Sequence, residues 1–284
     1  MCKFYITELE LFLNTLSDNV IVRDRKILNG KEIDFYLPDN KFAAEFDGLF
    51  WHSNKYCETT YHLDKTEVCE KEKIDLIHIF EDEWIFKKEI VKSLIKSKLN
   101  IYDTIIDISN CQLKFIEENV VKEFLNKNHL NGYIVNLIAI GILYDNDLIS
   151  IMLFDKKRGG NDFNEYELLR YCNKLNTNIV GGVKKMLNYF IELYSPKSII
   201  TFVDRRYSCA EIFKELNFKF IKNTEPNYWY FKKNKLIRHH RYNFRKEILI
   251  NEGFDQTKTE FNIMKERGYL RIYDCGSIIF ELNL

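Results

Sequence analysis

The sequence predicts a mixed α/β (α+β) protein built of two domains. The chain has 284 residues, which is more than most single domains contain. Apolar residues make up 46% of it, and patterns typical of helices alternate with patterns typical of strands along its length. Only three prolines and eleven glycines occur, and no stretch has the composition of a disordered linker. We therefore expect two folded domains, each with a sizeable hydrophobic core.

Charge is distributed unevenly along the chain, although the formal net charge is zero. Residues 1–109 carry 15 basic and 21 acidic side chains, whereas the remaining residues carry 27 and 21. This asymmetry suits a metal-dependent enzyme with a separate polyanion-binding surface, although two domains can also differ in charge by chance. No apolar run reaches the roughly 18 residues of a membrane span. The seven scattered cysteines favour a reduced, cytoplasmic environment.

The first part of the chain has the order of elements expected of an α/β domain. Residues 6–16 have the apolar spacing of an amphipathic helix, and Pro38 to Asn40 have the composition of a turn between two short strands. The other expected elements are a strand at Val20–Val22, a helix over Thr59–Lys73, a buried strand at Leu76–Phe80 and a helix from Glu83 to about Lys98. This order predicts a mixed sheet flanked by helices.

The hairpin on either side of that turn carries acidic residues where ordinary strands would carry core residues. Asp34 lies on the first strand, whereas Glu45 and Asp47 lie two residues apart on the second and hence on one face. Adjacent strands would hold these carboxylates within a few ångströms of one another. Because like charges so close repel unless a cation neutralises them, we expect the three residues to bind a divalent metal ion.

A domain boundary is expected between Asn100 and Gln112, so that the predicted domains are residues 1–108 and 109–284. Beyond it the patterns predict helices at Glu117–Lys127, from about Val183 to Tyr194, at Cys209–Leu216 and at Thr259–Arg267. They predict strands at Leu137–Tyr144, Leu148–Phe154, Asn161–Cys172, Ile199–Val203, Phe218–Ile221 and Tyr228–Phe231, and a final hairpin around Asp274 to Gly276. Strands that alternate with helices predict a second α/β domain.

The string Glu32-x-Asp34…Glu45-x-Asp47-Gly48-x-Phe50-Trp51-His52 resembles the very-short-patch-repair endonucleases. It is more similar still to the phage homing endonucleases of the EDxHD group, and both belong to the PD-(D/E)xK superfamily. The resemblance covers about residues 5–98. It implies a restriction-endonuclease-like sheet and a metal-dependent, site-specific DNA endonuclease, which would hydrolyse phosphodiester bonds by nicking or by double-strand cleavage.

The resemblance also implies roles for individual residues. Asp34 matches the main metal ligand, and His52 matches the histidine that activates water or assists the leaving group. Glu8, or alternatively Glu10, would be the first-helix carboxylate that orients metal-bound water. The repair enzymes have histidine where this chain has Asp47, so the centre would alternatively use three carboxylates, Asp34, Glu45 and Asp47, around Mg²⁺ (or Mn²⁺). The identity of the general base stays open.

His62 and Lys65 lie on one face of the predicted helix that follows the hairpin. If the resemblance holds, this face turns toward the carboxylates, and the lysine would stabilise the charge that develops at phosphorus. Each of the two residues is equally consistent with an ordinary, satisfied position on a helix. His78 lies within an apolar strand and is expected to belong to the core.

The second part of the chain resembles the acyl-CoA-binding core of the GNAT acetyltransferases over roughly residues 112–232. The resemblance rests on the segment from Asn178 to Met186, where Gly181 and Gly182 open a helix after a strand, and on Ala210-x-x-Phe213-x-x-x-Asn217-Phe218. It implies a GNAT-like α/β domain in which Gly181 and Gly182 bind a cofactor phosphate. There are two alternatives: the glycines form only a structural turn, or the fold is a scaffold whose phosphate loop binds another polyanion such as DNA.

A stretch of basic residues runs from Lys232 to Lys246, with seven Lys or Arg, two His and no acid. Basic side chains neutralise phosphates, and interleaved aromatic side chains stack on bases or pack beneath them. A solvated surface without a partner is the alternative. We expect double-stranded DNA to contact Arg205, Arg206, Lys232, Lys233, Arg238, His239, His240, Arg241, Arg245 and Lys246.

Three functions are compatible with these patterns. The first is the metal-dependent DNA endonuclease, which would nick one strand per active site and could cut both as a homodimer. The second is a DNA-modifying acyltransferase of the phage type, and the third is a non-catalytic DNA-binding protein. Asp34 and a metal ion are required only by the first, and an acyl-CoA site at Gly181 and Gly182 only by the second.

Overall fold

The computed structural model describes residues 2–159, 164–207 and 210–284. They group into two units, each of which mixes helices with strands. Unit 1 comprises Met1–Phe86, Asp204–Ser208 and Thr224–Ser277, and unit 2 comprises Lys87–Val203, Cys209–Asn223 and Ile278–Leu284. The predicted α/β fold class is confirmed. The division into functional domains at residues 1–108 and 109–284 stays a prediction.

The elements largely follow the predicted order, but the final hairpin predicted around Asp274 to Gly276 is wrong, because Tyr269–Tyr273 and Ser277–Asn283 belong to different sheets. The helices are α1 (Cys2–Asn14), α2 (Tyr61–Lys71), α3 (Glu81–Phe86), α4 (Lys88–Lys98), α5 (Glu118–Asn128), α6 (Gly182–Tyr194), α7 (Glu211–Glu215), α8 (Lys246–Asn251) and α9 (Glu260–Glu266). The strands of the first half are β1 (Ile21–Leu28), β2 (Lys31–Leu37), β3 (Phe42–Asp47), β4 (Asp75–Phe80), β5 (Thr104–Asp107), β6 (Gln112–Phe115), β7 (Ile138–Tyr144) and β8 (Asp147–Lys156). Those of the second half are β9 (Glu165–Asn173), β10 (Thr177–Val180), β11 (Ser198–Asp204), β12 (Lys219–Asn223), β13 (Tyr228–Lys232), β14 (Lys235–His240), β15 (Tyr269–Tyr273) and β16 (Ser277–Asn283).

The acidic hairpin of unit 1 forms as predicted, within a sheet of order β1-β2-β3-β4. Pro38–Asn40 makes a short 3₁₀ turn, and Lys41 takes a left-handed conformation that reverses the chain. Strand β2 alternates between buried and half-exposed side chains, whereas every residue of β3 is buried. Strand β3 is paired on both edges, with antiparallel β2 and parallel β4, and its acidic side chains Glu45 and Asp47 are buried.

A second, smaller sheet completes unit 1, with the order β14-β13-β15. Apolar side chains from distant parts of the chain form one cluster there, since Leu49 and Phe80 pack with Phe231 and Ile272. Burying these four side chains stabilises the unit through the hydrophobic effect. This packing explains why Thr224–Ser277 belongs with the N-terminal segment.

Unit 2 is built on a sheet of order β12-β16-β11-β9-β8-β7-β6, beside the parallel pair β10-β5. Helix α6 buries one apolar face, and the ring of Phe190 stacks on that of Phe154 with centroids 3.7 Å apart. Pairing is antiparallel from β6 through β9 and parallel between β9 and β11. Helices that cover a mixed sheet in this way are the arrangement that alternating helix and strand patterns predict.

Some predicted elements differ from those observed. The helix predicted from Glu83 to Lys98 is two helices, because Lys87 has a non-helical backbone conformation. The strand predicted from Asn161 begins at Glu165, and Asn161–Phe163 lie outside the described residues, as does Cys209 at the start of a predicted helix. None of the described helices combines the length and apolar character that a membrane span requires.

Candidate functional site

The carboxylate of Asp47 lies at the end of β3, beside β4, and is completely buried. Its Oδ2 atom is 3.0 Å from Nδ1 of His78. Burial lowers the pKa of His78 to about 4, because desolvation outweighs the attraction of the carboxylate. The ring is therefore neutral near pH 7 and donates its Nδ1 proton to the carboxylate, which can only accept. His78 belongs to the core, as predicted, and also fixes the orientation of Asp47.

Two further histidines bring ring nitrogens to the other oxygen of Asp47. Nδ1 of His52 lies 3.1 Å and Nε2 of His62 lies 3.5 Å from Oδ1, and the two nitrogens are 3.0 Å apart. Although buried, Oδ1 accepts no hydrogen bond from the described residues. Burial works to raise the pKa of Asp47, but the neighbouring histidines hold that pKa well below its usual range. The side chains of Asp47, His52 and His62 are called the Asp47 cluster below.

The orientation of His62 is set by its other ring nitrogen. Nδ1 of His62 lies 2.7 Å from the carbonyl oxygen of Tyr273. Because a carbonyl oxygen can only accept, Nδ1 carries a proton, and Nε2 is the ring nitrogen that faces the cluster. Tyr273 ends strand β15, which belongs to the second sheet of unit 1. Its carbonyl oxygen therefore lets this sheet orient the His62 ring on helix α2.

Glu45 and Lys65 form a buried ion pair next to the Asp47 cluster. The Lys65 amine donates to Oε2 of Glu45 at 2.8 Å and to the carbonyl oxygen of Glu32 at 2.8 Å. Burial raises the pKa of Glu45 well above its usual value despite this partner. The predicted proximity of Lys65 to the hairpin carboxylates is confirmed, whereas a catalytic role for either residue stays a prediction.

Asp34 and Glu8 each have a partner of their own. Oδ2 of Asp34 accepts a hydrogen bond of 2.8 Å from the backbone amide of Phe46, and burial raises the pKa of Asp34. Oε2 of Glu8 accepts a hydrogen bond of 3.1 Å from the indole nitrogen of Trp84. Catalytic roles for both residues stay predictions.

The donor atoms do not suit the predicted Mg²⁺ site. Among the described residues, one group of three side chains has the spacing of a metal site. It consists of Asp47, His52 and His62, whose ligand atoms lie within 4.8 Å of one another. That set offers two nitrogens and one oxygen, whereas Mg²⁺ prefers oxygen ligands in an octahedral arrangement. The carboxylates of Glu45 and Asp34 are engaged by an amine and a backbone amide instead.

The predicted DNA-binding residues fall into two classes. Arg205, Arg206 and Arg238 are buried, and their guanidinium groups form ion pairs with Glu70, Glu83 and Asp82, respectively. Their assignment to a DNA contact is corrected, because a buried and paired guanidinium is not presented to a phosphate. Lys232 and His240 are half-buried, whereas Lys233, His239, Arg241, Arg245 and Lys246 are exposed. A DNA contact by these seven residues stays a prediction.

In unit 2, Gly181 and Gly182 connect β10 to α6, as predicted. Gly181 has a φ of +78°, which favours glycine, and a Cβ on Gly182 would lie 2.9 Å from Cγ2 of Ile179. The turn therefore depends on both glycines. Beside it lies a cavity of about 360 Å³, and among its lining residues are Lys184 and Lys185, which are exposed.

The parallel strands β9 and β11 separate toward their carboxyl ends. Their register runs from Ser198 opposite Glu165 to Thr201 opposite Leu168 and then stops. Strand β9 nevertheless continues to Asn173, paired with β8 on its other side. Residues 169–173 thus present to the β11 side a backbone edge that β11 does not pair. Sites for ligands commonly lie outside the carboxyl ends of parallel strands.

No family model matches the chain, and no curated protein matches it. Among solved structures, the chain is similar to a Bacillus subtilis acetyltransferase in complex with CoA, at 13% identity, 61% coverage of this chain, 99% coverage of that chain and a TM-score of 0.35. It is also similar to the ribosomal-protein-S18-alanine N-acetyltransferase from Escherichia coli (9% identity, coverages of 61% and 93%, TM-score 0.36). A third similar structure is an N-acetyltransferase from Staphylococcus aureus, at 9% identity, 61% coverage of this chain, 98% coverage of that chain and a TM-score of 0.37. A likeness this low says nothing of activity.

The prediction of a metal-dependent DNA endonuclease with Mg²⁺ (or Mn²⁺) is corrected, because the donor atoms that converge are two nitrogens and one oxygen, and the structures with a similar fold are described as acetyltransferases rather than nucleases. The matching structures are acetyltransferases, and two of them are described with CoA or acetyl-CoA bound. The GNAT-like part of the predicted fold class agrees with them, whereas the PD-(D/E)xK part finds no support among them. The Asp47 cluster also lacks the all-oxygen ligands that Mg²⁺ prefers.

Sequence reasoning missed two features of these sites. It assigned His78 to the core alone. In the parallel pairing of β3 with β4, however, His78 lies opposite Glu45, which is two residues before Asp47 on β3. A histidine in a strand next to an acidic strand was the available signal. The separation of β9 from β11 had no signal in the sequence, because nothing in either segment marks the residue at which their pairing ends.

Proposed function

We propose that unit 2 binds an acyl-CoA thioester and transfers its acyl group to an amine or hydroxyl acceptor. The observation that carries this proposal is the separation of β9 from β11 beyond Leu168 and Thr201. Beyond Leu168 the edge of β9 is not bonded to β11, and this edge would offer amide and carbonyl groups to an extended, amide-containing chain, as an added strand would use them. The pantetheine arm of CoA is such a chain.

The turn before α6 supports the phosphate part of the same ligand. The first amides of a helix have no partner within it, and Lys185 is the first residue of α6 whose amide bonds back to the turn, at Gly181. Free amides and the positive end of the helix dipole favour an anion. Lys184 and Lys185 add two exposed positive charges beside the cavity. A pyrophosphate fits this combination of glycine turn, amides and lysines.

A bound acyl-CoA would supply an activated acyl group: the acceptor nitrogen or oxygen would form a bond to the acyl carbon, the carbon–sulfur bond would break, and CoA would leave as the thiol with the acceptor's proton. What the chain supplies is binding and orientation, which can account for a large part of a rate enhancement. The edge of β9 would hold the arm straight, and the turn would fix its phosphate end. The acceptor would then approach from the open side of the two strands.

Charge reversal of Lys184 and Lys185 to glutamate should weaken acetyl-CoA binding at least about tenfold, because it removes charge-assisted hydrogen bonds to phosphate. Isothermal titration calorimetry of the full chain with acetyl-CoA measures this. Lys122→Glu, at an exposed position of α5 away from the turn, is the matched control and should bind as the wild type does. Failure of the wild-type protein to bind either acetyl-CoA or CoA would end the proposal, and so would equal weakening by the control.

We propose further that double-stranded DNA is the partner that unit 1 contacts through its exposed basic residues. Lys233, His239, Arg241, Arg245 and Lys246 are exposed and lie within a stretch that lacks acidic residues. Phosphate contacts of this kind release counterions and make affinity depend strongly on salt. DNA is then also a candidate acceptor for the acyl group. A homodimer and a cytoplasmic location stay predictions.

The triple substitution of Arg241, Arg245 and Lys246 by glutamate should weaken DNA binding and flatten its salt dependence, by about 0.9 in slope for each phosphate that the variant no longer neutralises. Fluorescence anisotropy with a labelled duplex at several salt concentrations measures both quantities. A control triple reversal uses the exposed residues Lys31, Lys41 and Lys71. If both triple variants flatten the dependence equally, the basic stretch is not the binding surface.

A further inference from the structure

The Asp47 cluster is the strongest set of unassigned ligand atoms in the described residues. Three donor atoms, Oδ1 of Asp47, Nδ1 of His52 and Nε2 of His62, lie within 4.8 Å of one another. Their separations are 3.0, 3.1 and 3.5 Å. In a tetrahedral zinc site with ligands at about 2.0–2.1 Å, neighbouring donor atoms lie about 3.3 Å apart. The cluster therefore has nearly the dimensions of one face of such a tetrahedron.

Without a metal the cluster is incompletely satisfied. The rings of His52 and His62 are nearly parallel, with 8° between their planes, and share one hydrogen bond between Nδ1 of His52 and Nε2 of His62. That arrangement leaves Oδ1 of Asp47 without a donor, although the residue is 0% exposed. A buried carboxylate oxygen that accepts no hydrogen bond is costly even with ring nitrogens at 3.1 and 3.5 Å, and a cation is one way to satisfy it.

The surroundings hold the three ligands in orientations that suit a metal. The Tyr273 carbonyl accepts the Nδ1 proton of His62 and leaves Nε2 as the coordinating atom. His78 donates to Oδ2 of Asp47 and leaves Oδ1 for the cation. Partners of this kind, which bind the far side of a ligand, are typical of metal sites in proteins.

We propose that Asp47, His52 and His62 bind one divalent transition-metal ion of the Zn²⁺ class. Imidazole and carboxylate donors suit this class, whereas Mg²⁺ would require more oxygen ligands. Binding replaces the His52–His62 hydrogen bond, and the His52 side chain is the one ligand of the three that is partly exposed, at 18%. With three protein ligands the fourth position is left to solvent on the exposed side of His52, as in zinc sites that keep an open position.

The experiment uses the full chain after removal of metal with a chelator. Titration with Zn²⁺ against a chromophoric competitor should give one ion per chain, and Co²⁺ should give the visible spectrum of a tetrahedral site with nitrogen and oxygen ligands. His52→Ala should weaken Zn²⁺ binding by more than the roughly 10–100-fold that loss of an outer partner causes. His78→Gln, which removes such an outer partner, should fall within that range.

Two controls keep the outcome decisive. His239→Ala removes an exposed histidine of unit 1 and should bind Zn²⁺ as the wild type does. Because His52 is partly exposed, its variant should unfold at the same denaturant concentration as the metal-free wild type, which separates lost ligation from lost folding. The proposal is overturned if the wild type binds no Zn²⁺, if His52→Ala binds it equally well, or if Co²⁺ shows a thiolate charge-transfer band.

Discussion

Replacing Glu83 with glutamine should lower the free energy of unfolding by about 3–5 kcal/mol. The Glu83 carboxylate is buried and accepts hydrogen bonds from Arg206 Nη1 at 3.0 Å, Arg238 Nη2 at 2.6 Å and the Tyr207 hydroxyl at 2.7 Å. Glutamine has nearly the same shape but no charge. Two buried guanidinium groups would therefore lose the anion they share, and each would keep its cost of desolvation.

The same carboxylate gives the protein a pH dependence of defined sign. Burial opposes ionisation of Glu83, but the charges of Arg206 and Arg238 outweigh it and lower its pKa from 4.5 to about 2. Because the pKa in the folded state lies below that in the unfolded state, this contribution is complete above pH 4.5 and is lost as the pH falls toward 2. The difference corresponds to about 3 kcal/mol. Glu83→Gln should therefore show a flatter loss of stability between these pH values.

Chemical denaturation at neutral pH, repeated along an acid series, measures both effects. Glu67→Gln is the matched control, because Glu67 pairs with Arg205 at 3.6 Å while its side chain is 48% exposed. Its loss should cost about 1 kcal/mol or less, because Glu67 is half-exposed and the buried Arg205 keeps its closer ion pair with Glu70 at 2.8 Å. Equal losses of stability in the two variants would show that burial of the Glu83 network does not determine its strength.

Local patterns were sufficient to predict the acidic hairpin. The turn at Pro38–Asn40 and the spacing of Glu45 and Asp47 depend only on residues close in sequence, and the structure has both. Helix α2 likewise lies within the predicted range. The break at Lys87 was not predictable in this way, because the flanking sequence favours a helix and only the backbone conformation shows the interruption.

Features that depend on distant partners were beyond a sequence pattern. Arg206 and Arg238 look like surface residues when only their neighbours in sequence are considered, but Glu83 lies more than 120 residues from both and buries them. The partner of His62 is the carbonyl of Tyr273, 211 residues away. A single sequence shows that such residues are charged or polar, and it does not show what they contact.

For the Asp47 cluster, the sequence indicates which residues are candidate ligands, whereas the structure determines which of their atoms converge. The sequence placed Asp47, His52 and His62 as candidates on the correct elements, and the structure brings their donor atoms together. The kind of ion depends on which atoms converge. Asp34 and Glu45 have other partners, so the site is one of nitrogen and oxygen donors rather than of three carboxylates.

A second large effect is expected at the buried pair of Glu45 and Lys65. Their side chains are 2% and 5% exposed, and Nζ lies 2.8 Å from Oε2. Glu45 Oε1 receives no hydrogen bond from the described residues, so Lys65 is the main partner of this carboxylate. A buried pair of this kind is costly to break, although it adds little over an apolar pair of similar volume.

Lys65→Met should therefore lower the free energy of unfolding by about 3–5 kcal/mol, because it leaves the Glu45 carboxylate buried without a cation. Adding Glu45→Leu to the same chain should recover most of that loss, since two apolar side chains then fill the space. Denaturant unfolding of the two single variants and the double variant completes the thermodynamic cycle. Lys127→Met is the control, because Lys127 pairs with Glu123 at 2.7 Å with both side chains 69% exposed and should lose about 0.5 kcal/mol or less. If the double variant is as unstable as Lys65→Met, the loss reflects missing packing or the missing hydrogen bond to the Glu32 carbonyl rather than an unpaired charge.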